Sequence, residues 1–340
     1  MYQLSLDNLQ NFFRQIAAHE KLYIPTDKDN VAVYAEYAEG MQLTQKLNTN
    51  RSAKDFFFPQ TENLYDLRMN GKNLEIEDTR EACEDFVVFG VRACDVRSFA
   101  ILDKVFLADP VDSYYKNRRE HGTVVSLACT RPEETCFCQS FGIDAAAPEG
   151  DAACWIADGS LYIKANTEKG ETLLSYVADL LTESDGSAVA AQQEKTRQLL
   201  AKLPLANTDF EGMKKTDLMA HFKSPKWAGL SEACLGCGTC TFVCPTCQCY
   251  DIREFDTGSC VKKFRCWDSC MYSDFTLMAH GNSRNSQLER FRQRFMHKLV
   301  YFPDNNDGVF GCVGCGRCLA KCPISMNIVK VEKALEVQDA

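Results

Sequence analysis

The 340-residue chain lacks most of the patterns that mark membrane proteins, nucleic-acid binders and hydrolases. No apolar run approaches the ~20 residues of a membrane-spanning helix; FVVFGV, at 86–91, is among the longest. Basic residues are in deficit, with a formal net charge of -9 and a pI of about 5.2, which disfavours nucleic acid or an anionic membrane as a partner. The start, MYQLSLDNLQNFFRQ, has neither a basic stretch before an apolar core nor a twin-arginine pair, so a cytoplasmic location is expected. Histidine is scarce, at five residues, and no H-E-x-x-H pattern occurs. There is no Walker A motif and no G-x-G-x-x-G; GCVGCG, at 311–316, belongs to a cysteine loop. No flavin or nicotinamide site is therefore expected on this chain.

Cysteine is what the chain has in quantity: 19 residues. At roughly 5–6% of the sequence it falls short of the ~8–10% of a small disulfide scaffold, and the number is odd. In a reducing cytoplasm such a chain binds metal or carries out redox chemistry.

The cysteines have a repeat. Cys234, Cys237, Cys240 and Cys244 precede Pro245, and Cys312, Cys315, Cys318 and Cys322 precede Pro323. Each block is C-x2-C-x2-C-x3-C-P, the bacterial ferredoxin run for [4Fe–4S] clusters. Gly236, Gly238, Gly314 and Gly316 let the loops wrap tightly, with backbone N–H groups facing the cluster sulfides. The fourth cysteine, expected to open a helix leading away, reaches the other cluster. One cluster is thus assigned to Cys234, Cys237, Cys240 and Cys322, and a second to Cys312, Cys315, Cys318 and Cys244. Zinc uses C-x2-C as well, but as pairs separated by a longer gap, not as four cysteines in direct succession, twice.

Further thiols remain. Cys94, Cys129, Cys136 and Cys138 fall after strand ends or in a loop, where separate segments converge; a third cluster is the functional reading and buried small apolar residues the bland one. Cys247, Cys249, Cys266 and Cys270 are the candidates for a fourth, with Cys260 as the alternative to Cys266. CVKKFRCWDSC has the spacings of a sirohaem site, but Cys266 would be shared between its two pairs, which excludes that reading. Cys83 and Cys154 are read as ordinary thiols. The basic stretch carrying Arg284, Arg290, Arg292, Arg294, His297 and Lys298 is either a docking face or a solvated helix face, with Phe291, Phe295 and Leu299 as its buried stripe.

The expected fold is α+β. A mixed domain over 1–225 precedes a ferredoxin-like, mainly helical dicluster domain over 226–340, with an insertion at 245–311. DFVVFGV and GTVVSL read as buried strands, CWIADGSLYIKA as a hairpin about Asp158-Gly159, and 172–203 as mostly helical around a turn at 184–187.

In order, FGVRACDVRSFAILDKVF, LACTRPEETCFCQSFG, CPTCQCYD, CWDSCMYSDFTLMAHGNSR and CVGCGRCLAKCP resemble the iron–sulfur subunit family shared by anaerobic sulfite reductase and cytoplasmic sulfhydrogenases, where it is the beta subunit. The resemblance spans about 80–330. It implies electron transfer between two partner subunits, one flavin-containing and NAD(P)H-reactive, the other catalytic, and it adds weight to the third cluster. Cys260 and Cys266 are additional to the family pattern. Two rival readings are a free-standing reductase with an open cluster site at Cys247, Cys249 and Cys270, and a binding protein with purely structural clusters.

Overall fold

FVVFGV and GTVVSL are apolar at almost every position, and strands of that kind need cover on both faces. The computed structural model, which describes all residues except 81, 82, 216 and 337–340, gives them that cover. The larger sheet contains β1 (Tyr2–Ser5), β2 (Lys21–Lys28), β3 (Val31–Glu36), β6 (Phe86–Val91), β7 (Gly122–Leu127), β8 (Ala152–Ala157), β9 (Ser160–Ala165) and β10 (Thr182–Glu183). Its order is β10-β1-β9-β8-β7-β6-β2-β3, parallel from β2 through β8 and antiparallel towards both edges. The strand period of two divides its cores. Val87, Phe89, Val125 and Leu127 pack with Phe12, Phe13, Leu173 and Leu174, whereas Phe86, Val88 and Val124 pack with Phe99, Leu102 and Phe106.

The β8–β9 turn places Asp158 at φ 46° and Gly159 at φ 74°, the left-handed pair that a two-residue hairpin needs. The helical stretch expected at 172–203 is two helices, Glu168–Tyr176 and Ser187–Leu200, with β10 between them. The interruption begins before 184 because β10 pairs with β1.

A second, antiparallel sheet has the order β11-β12-β4-β5, from β4 (Thr61–Asn70), β5 (Asn73–Asp78), β11 (Tyr250–Asp256) and β12 (Cys260–Trp267). Its strands come from both sides of residue 225. Arg265, 2% exposed, binds β12 to β4 through Glu62 (2.7 Å from Nε) and also pairs with Asp112.

The C-terminal part is built around the helix Gln287–Met296, which opens with a capping box between Ser286 and Glu289 and continues into a π-helical turn, His297–Tyr301. Phe291, Phe295 and Leu299 form its buried stripe, beside Trp227, Ile328 and Val331. The chain is an α+β protein, and among the described residues no helix is long and apolar enough to cross a membrane.

Candidate metal centres

The two ferredoxin-type loops turn where glycine permits. Gly236, Gly238, Gly314 and Gly316 have φ between 60° and 78°, a region costly for other residues. Each loop runs into a short helix, Thr239–Phe242 or Arg317–Lys321. The sequence reading has the fourth cysteine opening a helix; instead Cys244 and Cys322 follow the ends of these helices. The helix itself carries the chain across, because the tight glycine turn precedes it.

Cys234, Cys237, Cys240 and Cys322 line one cavity, together with Met271, Phe291, Arg294 and Pro323. In the other block, burial pushes the thiols of Cys312 and Cys315 up and that of Cys318 up to about 12, with the charge of Cys244 adding to the effect at all three. Cys244 Sγ lies 3.2 Å from Thr246 Oγ1, which donates to Gly311 O at 2.8 Å. Lys298 Nζ donates to Thr246 Oγ1 (2.8 Å) and Gly311 O (2.9 Å) beside it.

Cys94 follows β6 and Cys129 follows β7, at the carboxyl ends of neighbouring parallel strands, where open α/β sheets bind their ligands. With Cys136 and Cys138 they line one cavity. All four are buried, and burial pushes Cys136 up to about 11 and Cys138 up to about 12. Without a cationic group these thiols remain protonated at neutral pH; bound iron would reverse that. Gly314 and Cys315 form part of the same wall. Phe137 N donates to Gly314 O at 2.9 Å, and a Cβ on Gly314 would lie 2.4 Å from Phe137 O. Next to the cysteines, Arg317 pairs with Asp95 through its two terminal guanidinium nitrogens (2.5 and 2.7 Å), and its Nε donates to Thr49 O at 3.0 Å.

Cys247, Cys249 and Cys270 line a further cavity, with Thr246, Arg294, His297, Lys298 and Phe302. Cys266 is not on its wall. It lies on β12 opposite Asp251 and is partly exposed, while Cys260 is buried opposite Arg68 at the other end of that strand. A hydrogen bond from Cys270 holds Cys249 down to about 7, and one from Cys247, together with Lys298, holds Cys244 well below the usual thiol range. Burial and the neighbouring Lys298 and Arg284 push His297 down to about 4. Cys154 is a fully buried sheet residue, and Cys83 lines a separate wide cleft with Lys21, Glu62 and Arg118.

The basic helix faces inward, which neither surface reading anticipates. Arg294 and Lys298 are 5% and 6% exposed, raised above their usual values by surrounding cysteines. Lys54 also escapes a sequence reading: 2% exposed, it stands over the Trp267 ring at 3.5 Å and donates to Cys247 O at 2.9 Å. Asp95 and Arg317 do carry a signal, since each is a charged residue directly beside a candidate ligand, Cys94 or Cys318.

Four sulfurs on one zinc must each approach it to about 2.3 Å. The thiols of each set instead line the wall of a cavity, an arrangement that suits a multi-iron group. Fold and thiol placement thus define a [4Fe–4S] protein, and residues 233–326 match the family model of the 4Fe-4S dicluster domain. Sulfhydrogenase 2 subunit beta of Pyrococcus furiosus is 31% identical over 340 aligned residues, 97% of this chain and 96% of that protein. The chain belongs to this iron–sulfur subunit family and serves in electron transfer. No solved structure matches it.

Proposed function

We propose that this chain relays electrons between two partners in an anaerobic oxidoreductase of the sulfite reductase or sulfhydrogenase type, one a flavin- and NAD(P)H-reactive subunit, the other a catalytic subunit. Cys234, Cys237, Cys240 and Cys322 hold one cluster, Cys312, Cys315, Cys318 and Cys244 a second, and Cys94, Cys129, Cys136 and Cys138 a third. A bound [4Fe–4S] cluster supplies a one-electron carrier whose potential follows the charge, hydrogen bonding and burial around its thiolates.

The observation that carries the proposal is the shared wall between the upstream thiols and the second ferredoxin loop, closed by the Phe137–Gly314 hydrogen bond of 2.9 Å. Purely structural sites have no need of such adjacency. Asp95 and Arg317 fix the same junction, and Arg294 lies on the wall of the first cavity while its charge acts on Cys318 and Cys244 of the second set. The relative's name, which makes it one subunit of a sulfhydrogenase, supports partners for this chain too.

Anaerobic purification of the tagged chain from its own cells tests the proposal. A flavoprotein should be retained, and NAD(P)H should bleach the visible absorption only when that flavoprotein is present. Recovery of the chain alone, or bleaching by NAD(P)H without any partner, would overturn it.

A further inference from the structure

The cavity of Cys247, Cys249 and Cys270 has three thiols on its wall, one short of a full cubane ligand set. Neither remaining cysteine of the insertion supplies the fourth. Cys266 and Cys260 are held in β12 by pairing along β11 and β4, and neither is on the wall.

The other side of the cavity is the end of the helix Gln287–Met296, and there the backbone departs from α-helical geometry. His297 opens the π-helical turn His297–Tyr301, a widening that recurs at functional sites because it re-aims side chains. The His297 imidazole lines the cavity and meets the Phe302 ring edge-on at 6.2 Å. Neither ring nitrogen makes a hydrogen bond to any described residue. A half-buried imidazole that shares a cavity wall with three thiols, and has no hydrogen-bond partner among the described residues, is free to act as a fourth ligand. A second observation points to an anionic occupant: Arg294 also lines the cavity, is 95% buried (5% exposed), and its Nε has no hydrogen-bond partner. A guanidinium buried in that way is matched by negative charge nearby, and Cys247 of this cavity contributes to it along with Cys240, Cys318 and Cys244 of the ferredoxin blocks.

We propose that Cys247, Cys249, Cys270 and the imidazole of His297 together ligate a further iron–sulfur cluster. This rests on the reading that the thiol-lined cavities of this chain hold such clusters. Three thiolates and a neutral imidazole give the site one negative charge fewer than four thiolates would. Its potential is therefore higher than with all-cysteine ligation, the direction in which histidine acts in Rieske centres. The site becomes an electron sink beside the ferredoxin loops, because Cys247 neighbours Cys244 and Arg294 is shared with the first cavity.

The test uses the full chain, purified and reconstituted anaerobically, as wild type, His297→Ala, His297→Cys and Cys266→Ala. Iron and sulfide are counted, and the dithionite-reduced protein is examined by electron–nuclear double resonance for nitrogen bound directly to iron. The wild type should hold about sixteen irons and show the strong nitrogen coupling. His297→Ala should lose the coupling together with up to about four irons, while Cys266→Ala keeps both. His297→Cys should keep the iron, lose the coupling and lower one midpoint potential; it guards against a His297→Ala variant that merely misfolds. Sixteen irons without nitrogen coupling, or about twelve in the wild type, would overturn the His297 site while leaving the relay intact. About eight or fewer would overturn both this site and the third cluster.

Discussion

Asp95, fully buried, and Arg317, 4% exposed, illustrate at the scale of single residues how the thiol sites are joined. One carboxylate and one guanidinium satisfy each other where solvent cannot, so removing either leaves an unpaired buried charge. Arg317→Met should cost about 3–5 kcal/mol in denaturant unfolding, and much of that should return in the Asp95→Asn, Arg317→Met double variant. Gly314 is equally constrained. Its φ of 60° and the 2.4 Å approach of a Cβ to Phe137 O leave no room for a methyl group. Gly314→Ala should lower iron content by about eight per chain, because it opens two candidate sites at once; loss of about four would show that the walls are independent. His221 gives the pH dependence. Burial holds its imidazole below the usual value, against the opposing effects of the Met213 backbone and Asp217. Its contribution to stability is therefore present above the unfolded value of about 6.5 and is lost as pH falls through that value towards the folded one. Between about pH 7 and pH 5, His221→Gln should show a shallower loss of unfolding free energy than the wild type; equal slopes would contradict this.

Among the elements, local signals are legible in the sequence and distant ones are not. The cysteine blocks announce themselves because their chemistry is written within twelve residues, 234–245 and 312–323. The buried strands β6 and β7 and the Asp158-Gly159 hairpin are equally plain, since a run of apolar residues or one turn pair suffices. The hairpin of β11 and β12 escapes a sequence reading, because it is completed by β4, whose Leu67 pairs with Val261 nearly two hundred positions away. The basic helix reads as a surface element for a similar reason. Periodicity locates Phe291, Phe295 and Leu299 correctly, but it cannot show that Arg294 and Lys298 face thiols from other segments. His297 stands out only as part of that basic face. The start of this helix has a local determinant that can be tested in isolation: Ser286 Oγ accepts from Glu289 N, and the Glu289 carboxylate accepts from Ser286 N at 2.8 Å. Ser286→Ala should lower stability by about 1 kcal/mol with iron content unchanged; a larger loss accompanied by loss of iron would mean that the cap also positions the cluster loops.

For the whole molecule, the central feature is continuity. The parallel sheet delivers Cys94 and Cys129 to the end at which the second ferredoxin loop is packed, and Cys322, which follows that loop, lines the cavity of the first block. The four-stranded sheet links residues 61–78 to 250–267, so the segment carrying Cys247 and Cys249 is bound to the N-terminal part as well. A relay needs such rigidity, because electron transfer between carriers depends on their fixed separation. The most direct measurement is an anaerobic reductive titration of the purified chain, followed at low temperature by electron paramagnetic resonance. The expected result is uptake of at least about three electrons, with signals broadened by magnetic interaction between neighbouring clusters. A chain that takes up no electrons, or that gives only isolated, non-interacting signals, would contradict the relay.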